Sequence, residues 1–270
     1  RLYNITEPMV LLSSNYGVPQ NRERVVFIGC RNDQELITEI PATVKEEDKV
    51  KVYEALWDMD MVGNGDTATK YKKPKLISEY EPEKKKRAIQ GEPDESGLLF
   101  SEWSKIGRLG HRFVFDEEPF YILNMSELEQ PRKYQHMELF NHQTSLQNET
   151  VRERLKIIAK HKDYDLAKAE LKEKGLESQK RNYVVLNPLG QSPTVCTMPD
   201  DFIHYSAYRP MTVREMARLQ SFDDSFVFQG KRQTGGNNRQ KEIPQYTLVG
   251  NAVPPLMARA IANTLLRHIN

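Results

Sequence analysis

Gln20, Arg22 and Arg24 stand at a spacing of two within the stretch Asn15 to Cys30, which reads NYGVPQNRERVVFIGC. In extended backbone, alternate residues project to one side, so both guanidiniums can face one site. Two forked cations beside a buried sheet edge are costly unless an anionic or carbonyl-bearing group comes to meet them. The elements that must position them are apolar and rich in β-formers: Met9-Val-Leu-Leu before, Val25-Val-Phe-Ile after. Gly17 and Pro19 lie between, so the local reading is strand, loop, strand.

Two stretches near the other end of the chain carry comparable local signal. Arg209-Pro-Met-Thr-Val-Arg-Glu-Met-Ala-Arg-Leu-Gln-Ser-Phe is a helix start in which Thr212 and Glu215 form a capping box. Met211 and Met216 are placed as its hydrophobic staple. Arg209, Arg214 and Arg218 then surround an apolar edge of Val213, Met216, Leu219 and Phe222. The other stretch, Gln245-Tyr-Thr-Leu-Val-Gly-Asn-Ala-Val-Pro-Pro-Leu, opens a helix to Ile269, with Pro254 and Pro255 in its first turn. Met257, Ile261 and Leu265, with Ala258 and Ala262 alongside, make its buried stripe, and Arg259, Asn263 and Arg267 face outward. Gly250-Asn251 lets backbone come close to something bound.

Between these ends the signal is weaker. Val52-Tyr-Glu-Ala-Leu predicts a short helix. Gly63 to Lys70 (GNGDTATK) lacks the Gly-Lys-Ser/Thr ending of a phosphate loop and reads as a mobile connector. Glu81 to Arg87 reads as a solvated charge run. Short apolar pieces between Trp103 and Glu138 suggest small strands. Asn148 caps a helix with Val151, Leu155 and Ile158 on one stripe, and a second helix stops near Gly175. Arg181 to Leu186 reads as a strand. The Pro-rich loop after it carries Ser192, Thr194 and Thr197, short donors suited to phosphate and base-edge contacts.

The 270 residues carry a formal net charge of +1, which argues neither for nor against a nucleic-acid partner. No apolar run approaches the roughly 20 residues that span a bilayer. The two cysteines, Cys30 and Cys196, form no CxxC pair, and the six histidines show no HxxxH spacing, so no metal site is expected. The opening carries no basic-then-apolar leader, and the compartment expected is the reducing cytoplasm. Arg1-Leu-Tyr-Asn-Ile-Thr begins immediately before a strand, which favours a chain that continues something longer.

Gln20-x-Arg22-x-Arg24 followed by a strand resembles the eighth motif of the DNA (cytosine-5) methyltransferases. TxREMARLQxF resembles the ninth, and GNAVPP the tenth, all in family order. The resemblance implies an α/β fold: the C-terminal portion of a Rossmann-like, S-adenosylmethionine-dependent domain with a small α+β target-recognition domain inserted. Its expected bounds are 1–32 for the end of the catalytic domain, 33–205 for recognition, and 206–270 for the return. Asn141-His142 sits where relatives show an NH pair, and Thr194-Val195 looks like the Thr-Leu-like pair of the DNA-facing loop.

By that resemblance Arg24 contacts the O2 of a flipped cytosine, Arg22 holds phosphate or buttresses the site, and Gln20 orients the loop. Asn251, Ala252 and Val253 close over S-adenosylmethionine; where some relatives have serine, Ala252 leaves only backbone for a contact. Ser192, Thr194, Thr197 and Arg209 face double-stranded DNA, and Arg132, Lys133 and Arg181 suggest modest further affinity. The family's Pro-Cys nucleophile, its Glu-Asn-Val acid and its Gly-rich donor turn do not occur here. The expectation is a recognition part that is inactive alone and works with an N-terminal catalytic half. A naturally separate recognition subunit is the main alternative. The RNA-methylating branch fits less well, because its recognition region is short, and chance similarity of a plain interaction domain would have to repeat three times.

Overall fold

The computed structural model describes residues 2–56, 59, 62–70, 138–180, 182–198, 201–224, 226–234 and 241–269, with the backbone of 108–112 and 121–124. Near the start, β1 (Tyr3–Ile5) pairs antiparallel with β4 (Gly29–Arg31), and β2 (Met9–Leu12) with β3 (Glu23–Val26). The strand–loop–strand expected around Gln20 is present. Its loop opens with a 3-10 turn, Ser13–Tyr16, that ends at Gly17 in the left-handed region (φ 79°). Glycine suits that position because it has no Cβ to clash.

In the β2–β3 register Leu11 faces Arg24 and Met9 faces Val26, so alternation sends Leu11 inward. The last helix, α6 (Pro255–Ile269), packs there through Met257 and Ala260, which join Leu11, Val18, Ile28 and Cys30 in one buried cluster. Ile37 and Ile40 belong to the same cluster, so the core of the first segment runs on past residue 32. The expected stripe of α6 is shifted: Leu256, Ile261 and Leu265 flank the contact, while Ala258 and Ala262 are exposed. Arg259, Asn263 and Arg267 are exposed, as the spacing predicts.

A second cluster unites α1 (Val52–Leu56), Leu139, Leu186, Val195 and Phe202 with α4 (Val213–Leu219) and α5 (Gln245–Asn251). Residues from the middle of the chain and from its last quarter therefore share one core. The third cluster is the antiparallel hairpin of α2 (Glu149–His161) and α3 (Tyr164–Glu173), closed on Ile203. The Asn148 side chain accepts from the Val151 N–H, and the Asp163 side chain caps α3, so both helices start on a satisfied first turn. Gly175 (φ 64°) follows the end of α3, as expected.

The other described strands are short. β5 (Arg108–Arg112) and β6 (Tyr121–Asn124) pair antiparallel, and β7 (Val184–Val185) and β8 (Phe202–Ile203) pair parallel. The strand expected over 181–186 is thus two residues long. Gly63 to Lys70 is not a loose connector: its main chain pairs with residues 139–144, and Thr144 Oγ1 donates to the Gly63 carbonyl at 2.6 Å. Glu81 to Arg87 lies outside the described residues. No helix among the described residues is long and apolar enough to cross a membrane.

Candidate functional site

Gln20 and Arg22 are both buried, and what meets them is the chain's own backbone. Arg22 Nη1 donates to the Val195 carbonyl at 3.1 Å and Nη2 to the Gly250 carbonyl at 2.9 Å. Its Nε has no hydrogen-bond partner. Gln20 Oε1 accepts the Val195 N–H at 2.7 Å, and Nε2 donates to Leu219 O and Gln220 Oε1. Main-chain pairing backs this up: Asn21 N–H donates to Ser192 O, and Ser192 N–H to Pro19 O. The carbonyl-bearing group demanded by a buried guanidinium is supplied from two distant segments. Burial and the neighbouring Arg24 charge hold the Arg22 pKa below its ordinary value, while Cys196 opposes this. Among the described residues no carboxylate pairs with Arg22.

Arg24 is placed differently. It sits on β3, half-exposed, and its Nη1 donates to the Glu23 carbonyl at 2.5 Å. The two arginines are near enough to repel, as a spacing of two predicts, but one is built into the core and the other stands at the rim.

Helix α4 is buried on every side; its two arginines, Arg214 and Arg218, and Arg209 just ahead of its cap are internal ties. The capping box of Thr212 and Glu215 is present, and Met211 and Met216 share the main core cluster. Arg209 was expected on DNA, yet it is buried and forms a two-pronged pair with Glu215, at 2.9 and 2.8 Å, with a further bond to Val62 O. That pair gives Arg209 a structural task. Arg218 makes a similar pair with Asp224 at 2.8 and 2.6 Å, and Arg214 donates to the carbonyls of Phe140, Asp223 and Phe226. The surrounding of an apolar edge read from the sequence becomes a set of buried, matched charges. Asn141-His142 lies under this helix: Asn141 O accepts the Arg214 N–H, and His142 Nδ1 lies 2.8 Å from Thr212 Oγ1.

His204 was not singled out, and a lone histidine offers no sequence signal. Its Nδ1 faces the Ser206 and Ala207 N–H groups at 3.3 and 3.2 Å, which makes that nitrogen the acceptor. Burial drives its pKa down to about 3, against the pull of Glu215 at 3.8 Å. For Glu215 burial alone would raise the pKa, but Arg209 overrides it and holds the carboxyl well below the usual range.

The loop expected to face DNA divides into two parts. Ser192 is buried, its hydroxyl donating to Pro193 O, so it is a pairing residue and not a surface donor. Thr194 and Thr197 are partly exposed, with Thr194 Oγ1 donating to Asn21 O at 3.2 Å. Cys30 is buried on β4. Partial burial and Asp201 push the exposed Cys196 thiol up, with Arg22 partly offsetting them. Arg132, Lys133 and Arg181 lie outside the described residues.

The GNAVPP stretch contains two helices where the sequence predicts one. α5 ends at Asn251 and α6 begins at Pro255, because Pro254 has no N–H to continue the ladder. Asn251, Ala252 and Val253 fall at this break, with Asn251 exposed and Val253 55% exposed. The Ala252 N–H is tied to Val249 O. Gly250 does permit a close approach, but to the Cys196–Thr197 peptide: a Cβ would stand 2.6 Å from Cys196 O. No group of three His, Cys, Asp or Glu among the described residues could hold a metal ion.

The chain is 28% identical over 263 residues to the type II methyltransferase M.DdeI of Desulfomicrobium norvegicum, covering 95% of this chain and 53% of that one. It is 25% identical over 276 residues to M.XorII of Xanthomonas oryzae pv. oryzae, covering 98% and 51%. The chain thus spans about half the length of these curated relatives. M.AquIB of Picosynechococcus sp. is 42% identical over 89 residues, 32% of this chain and 64% of that one. A crystal structure from E. coli, described as a prophage-encoded DNA modification methyltransferase, superposes with a TM-score of 0.56 at 20% identity, covering 99% of this chain and 61% of that one. That likeness speaks to the mixed α/β fold alone. The family model of the C-5 cytosine-specific DNA methylases matches residues 2–267, and the chain belongs to that family.

Proposed function

We propose that this chain is the C-terminal, target-recognising part of a type II DNA (cytosine-5) methyltransferase of a restriction–modification system, which methylates carbon 5 of a flipped cytosine in a specific sequence. The observation that carries the reading is the grip of Gln20 and Arg22 on both polar groups of Val195, with Arg24 left at the rim. It joins the loop bearing Thr194 and Thr197 to the strand bearing the exposed cation. The working division is 1–32 and 206–270 for the catalytic side and 33–205 for recognition, with the two sharing core residues. An N-terminal catalytic half is the partner this reading requires.

An uncovered sheet face supports incompleteness. Val10 and Val25 are directly paired and 64% and 57% exposed, with Phe27 beside them at 63%. An apolar β face of this kind calls for a covering layer.

In the reaction, a thiolate from outside these residues adds to carbon 6 of a cytosine drawn out of the duplex, and negative charge develops on the ring. Arg24 stabilises that charge at O2. Arg22 serves as the buttress, since its Nη groups are already given to carbonyls and burial keeps it from phosphate. Neither Cys30 nor Cys196 suits the nucleophile, one being buried and the other held in its thiol form. At the α5–α6 break, the Asn251 amide and the apolar Val253 fit the mixed polar and apolar surface of S-adenosylmethionine, with Ala252 limited to its carbonyl. S-adenosylmethionine, when bound, supplies the methyl group.

The test uses tritiated S-adenosylmethionine and mixed-sequence DNA. The full-length enzyme should label DNA, the 270-residue chain alone should not exceed the blank, and Arg24→Ala in the full-length enzyme should cost roughly 100-fold or more in kcat, the scale of a lost oxyanion donor. Label transferred by the isolated chain would defeat the division of labour. An Arg24→Ala enzyme of normal kcat would defeat the role of that residue.

A second reading, a naturally separate recognition subunit, draws on M.AquIB. That type II methyltransferase is so short that 89 residues make up 64% of it. A separate coding sequence with the Pro-Cys and Glu-Asn-Val motifs beside this one would decide for it.

A further inference from the structure

Gln220 caps the C-terminus of α4, and its side chain, like that of Gln20, is fully buried. A buried primary amide brings donors and an acceptor that must all be met. Gln220 Nε2 donates to the Val249 carbonyl of α5 at 2.8 Å. Its Oε1 accepts from Gln20 Nε2 at 3.0 Å, and Gln20 Nε2 also reaches Leu219 O at 3.1 Å. Gln20 Oε1 then accepts the Val195 N–H at 2.7 Å.

Two amides therefore run in series from α5, past the end of α4, to one residue of the 194–197 loop. Their orientation is dictated from one end. Because Val249 presents an oxygen, Gln220 must turn its nitrogen there and its oxygen to Gln20. Gln20 must in turn give its nitrogen to Gln220 and its oxygen to Val195. Flipping either amide sets like against like. Arg22 fixes the Val195 carbonyl from the same side as Gln20, two residues before Arg24 in the chain.

We propose that Gln220 is a positioning residue for DNA readout: acting through Gln20, it sets where the 194–197 loop stands relative to Arg24. The inference rests on the reading of this chain as the recognition part of a cytosine methyltransferase. Its test is Gln220→Glu in the full-length enzyme, assayed with mixed-sequence plasmid DNA and tritiated S-adenosylmethionine. Glutamate keeps the shape and the acceptor for Gln20, but turns an oxygen on the Val249 carbonyl.

The expected result is a KM for DNA raised about tenfold, with kcat and the KM for S-adenosylmethionine changed less than about threefold. Unchanged constants would overturn the proposal. So would a fall in kcat alongside the melting temperature with no change in the KM for DNA. The unaltered protein provides a measurement that needs no variant: hydrogen exchange at the Val195 amide should be slowed by about 100-fold or more against an unstructured amide. Exchange at the unprotected rate would equally overturn it. A wild-type enzyme that transfers nothing to cytosine would overturn the underlying reading and this role with it. An active wild type beside an indifferent variant overturns the positioning role alone.

Discussion

An alanine at position 250 would place its Cβ 2.6 Å from Cys196 O, 2.8 Å from Cys196 C and 2.9 Å from Thr197 N. Two effects compete at this site. Inside α5, alanine is favoured over glycine by about 1 kcal/mol through helix propensity. Overpacking against atoms that cannot move costs about 1–3 kcal/mol. The opposing atoms are backbone, and the adjoining Val195 is held at both ends by Gln20 and Arg22, so the loop cannot yield cheaply. Gly250→Ala should therefore destabilise the protein, by up to about 2 kcal/mol in urea unfolding; a gain in stability would mean that the loop slides freely. The sequence marked Gly250 as a point of close approach but assigned the approach to a bound molecule. A glycine signals room for a neighbour and says nothing of which one. The same limit applied to Arg22, whose requirement for carbonyl oxygens was legible while their source in Val195 and Gly250 was not.

At the scale of elements, local rules read well wherever the deciding contacts are themselves local. The Thr212–Glu215 box and the Asn148 cap lie within one turn of their helices, and both are present. Reading failed where a tertiary partner decides. Arg209 looked like a surface cation because nothing in a capping box requires its residue N3 to neutralise a buried guanidinium. Helix α4 depends on that box more than a surface helix would, since Thr212 Oγ1 accepts the Glu215 N–H at 3.1 Å and also meets His142 Nδ1 at 2.8 Å. Losing a cap costs about 1 kcal/mol, and stranding a buried polar partner adds about 1–3 kcal/mol. Thr212→Ala should thus cost roughly 2–4 kcal/mol by denaturant titration, and Thr212→Ser well under half of that. Equal losses from both variants would remove the hydroxyl from the account.

Over the whole molecule, the core of α4 encloses a polar centre whose protonation is linked to folding. His204 is fully buried and neutral, with a folded pKa of about 3 against an ordinary 6.5. Its depressed value means that the unfolded chain takes up a proton near pH 6.5 while the folded chain does not. Stability is therefore lost as pH falls from 6.5 towards 3, and nothing is gained from this group above that window. Glu215, held below 4.5 by Arg209 against its own burial, acts in the same sense at lower pH: unfolded glutamate protonates first, and the Arg209 pair ceases to favour the fold. His204, Arg209 and Glu215 lie within twelve residues of one another, yet the sequence pattern did not announce this centre, because burial and not spacing is what turns their charges into a linked set. One proton of difference corresponds to about 1.4 kcal/mol per pH unit. Urea unfolding between pH 6 and pH 5 should lose about that much stability in the wild-type protein. His204→Gln keeps an acceptor for the Ser206–Ala207 turn but cannot titrate, so its slope over this interval should be flatter by the same amount. A variant with the wild-type slope would show that the acid sensitivity arises elsewhere.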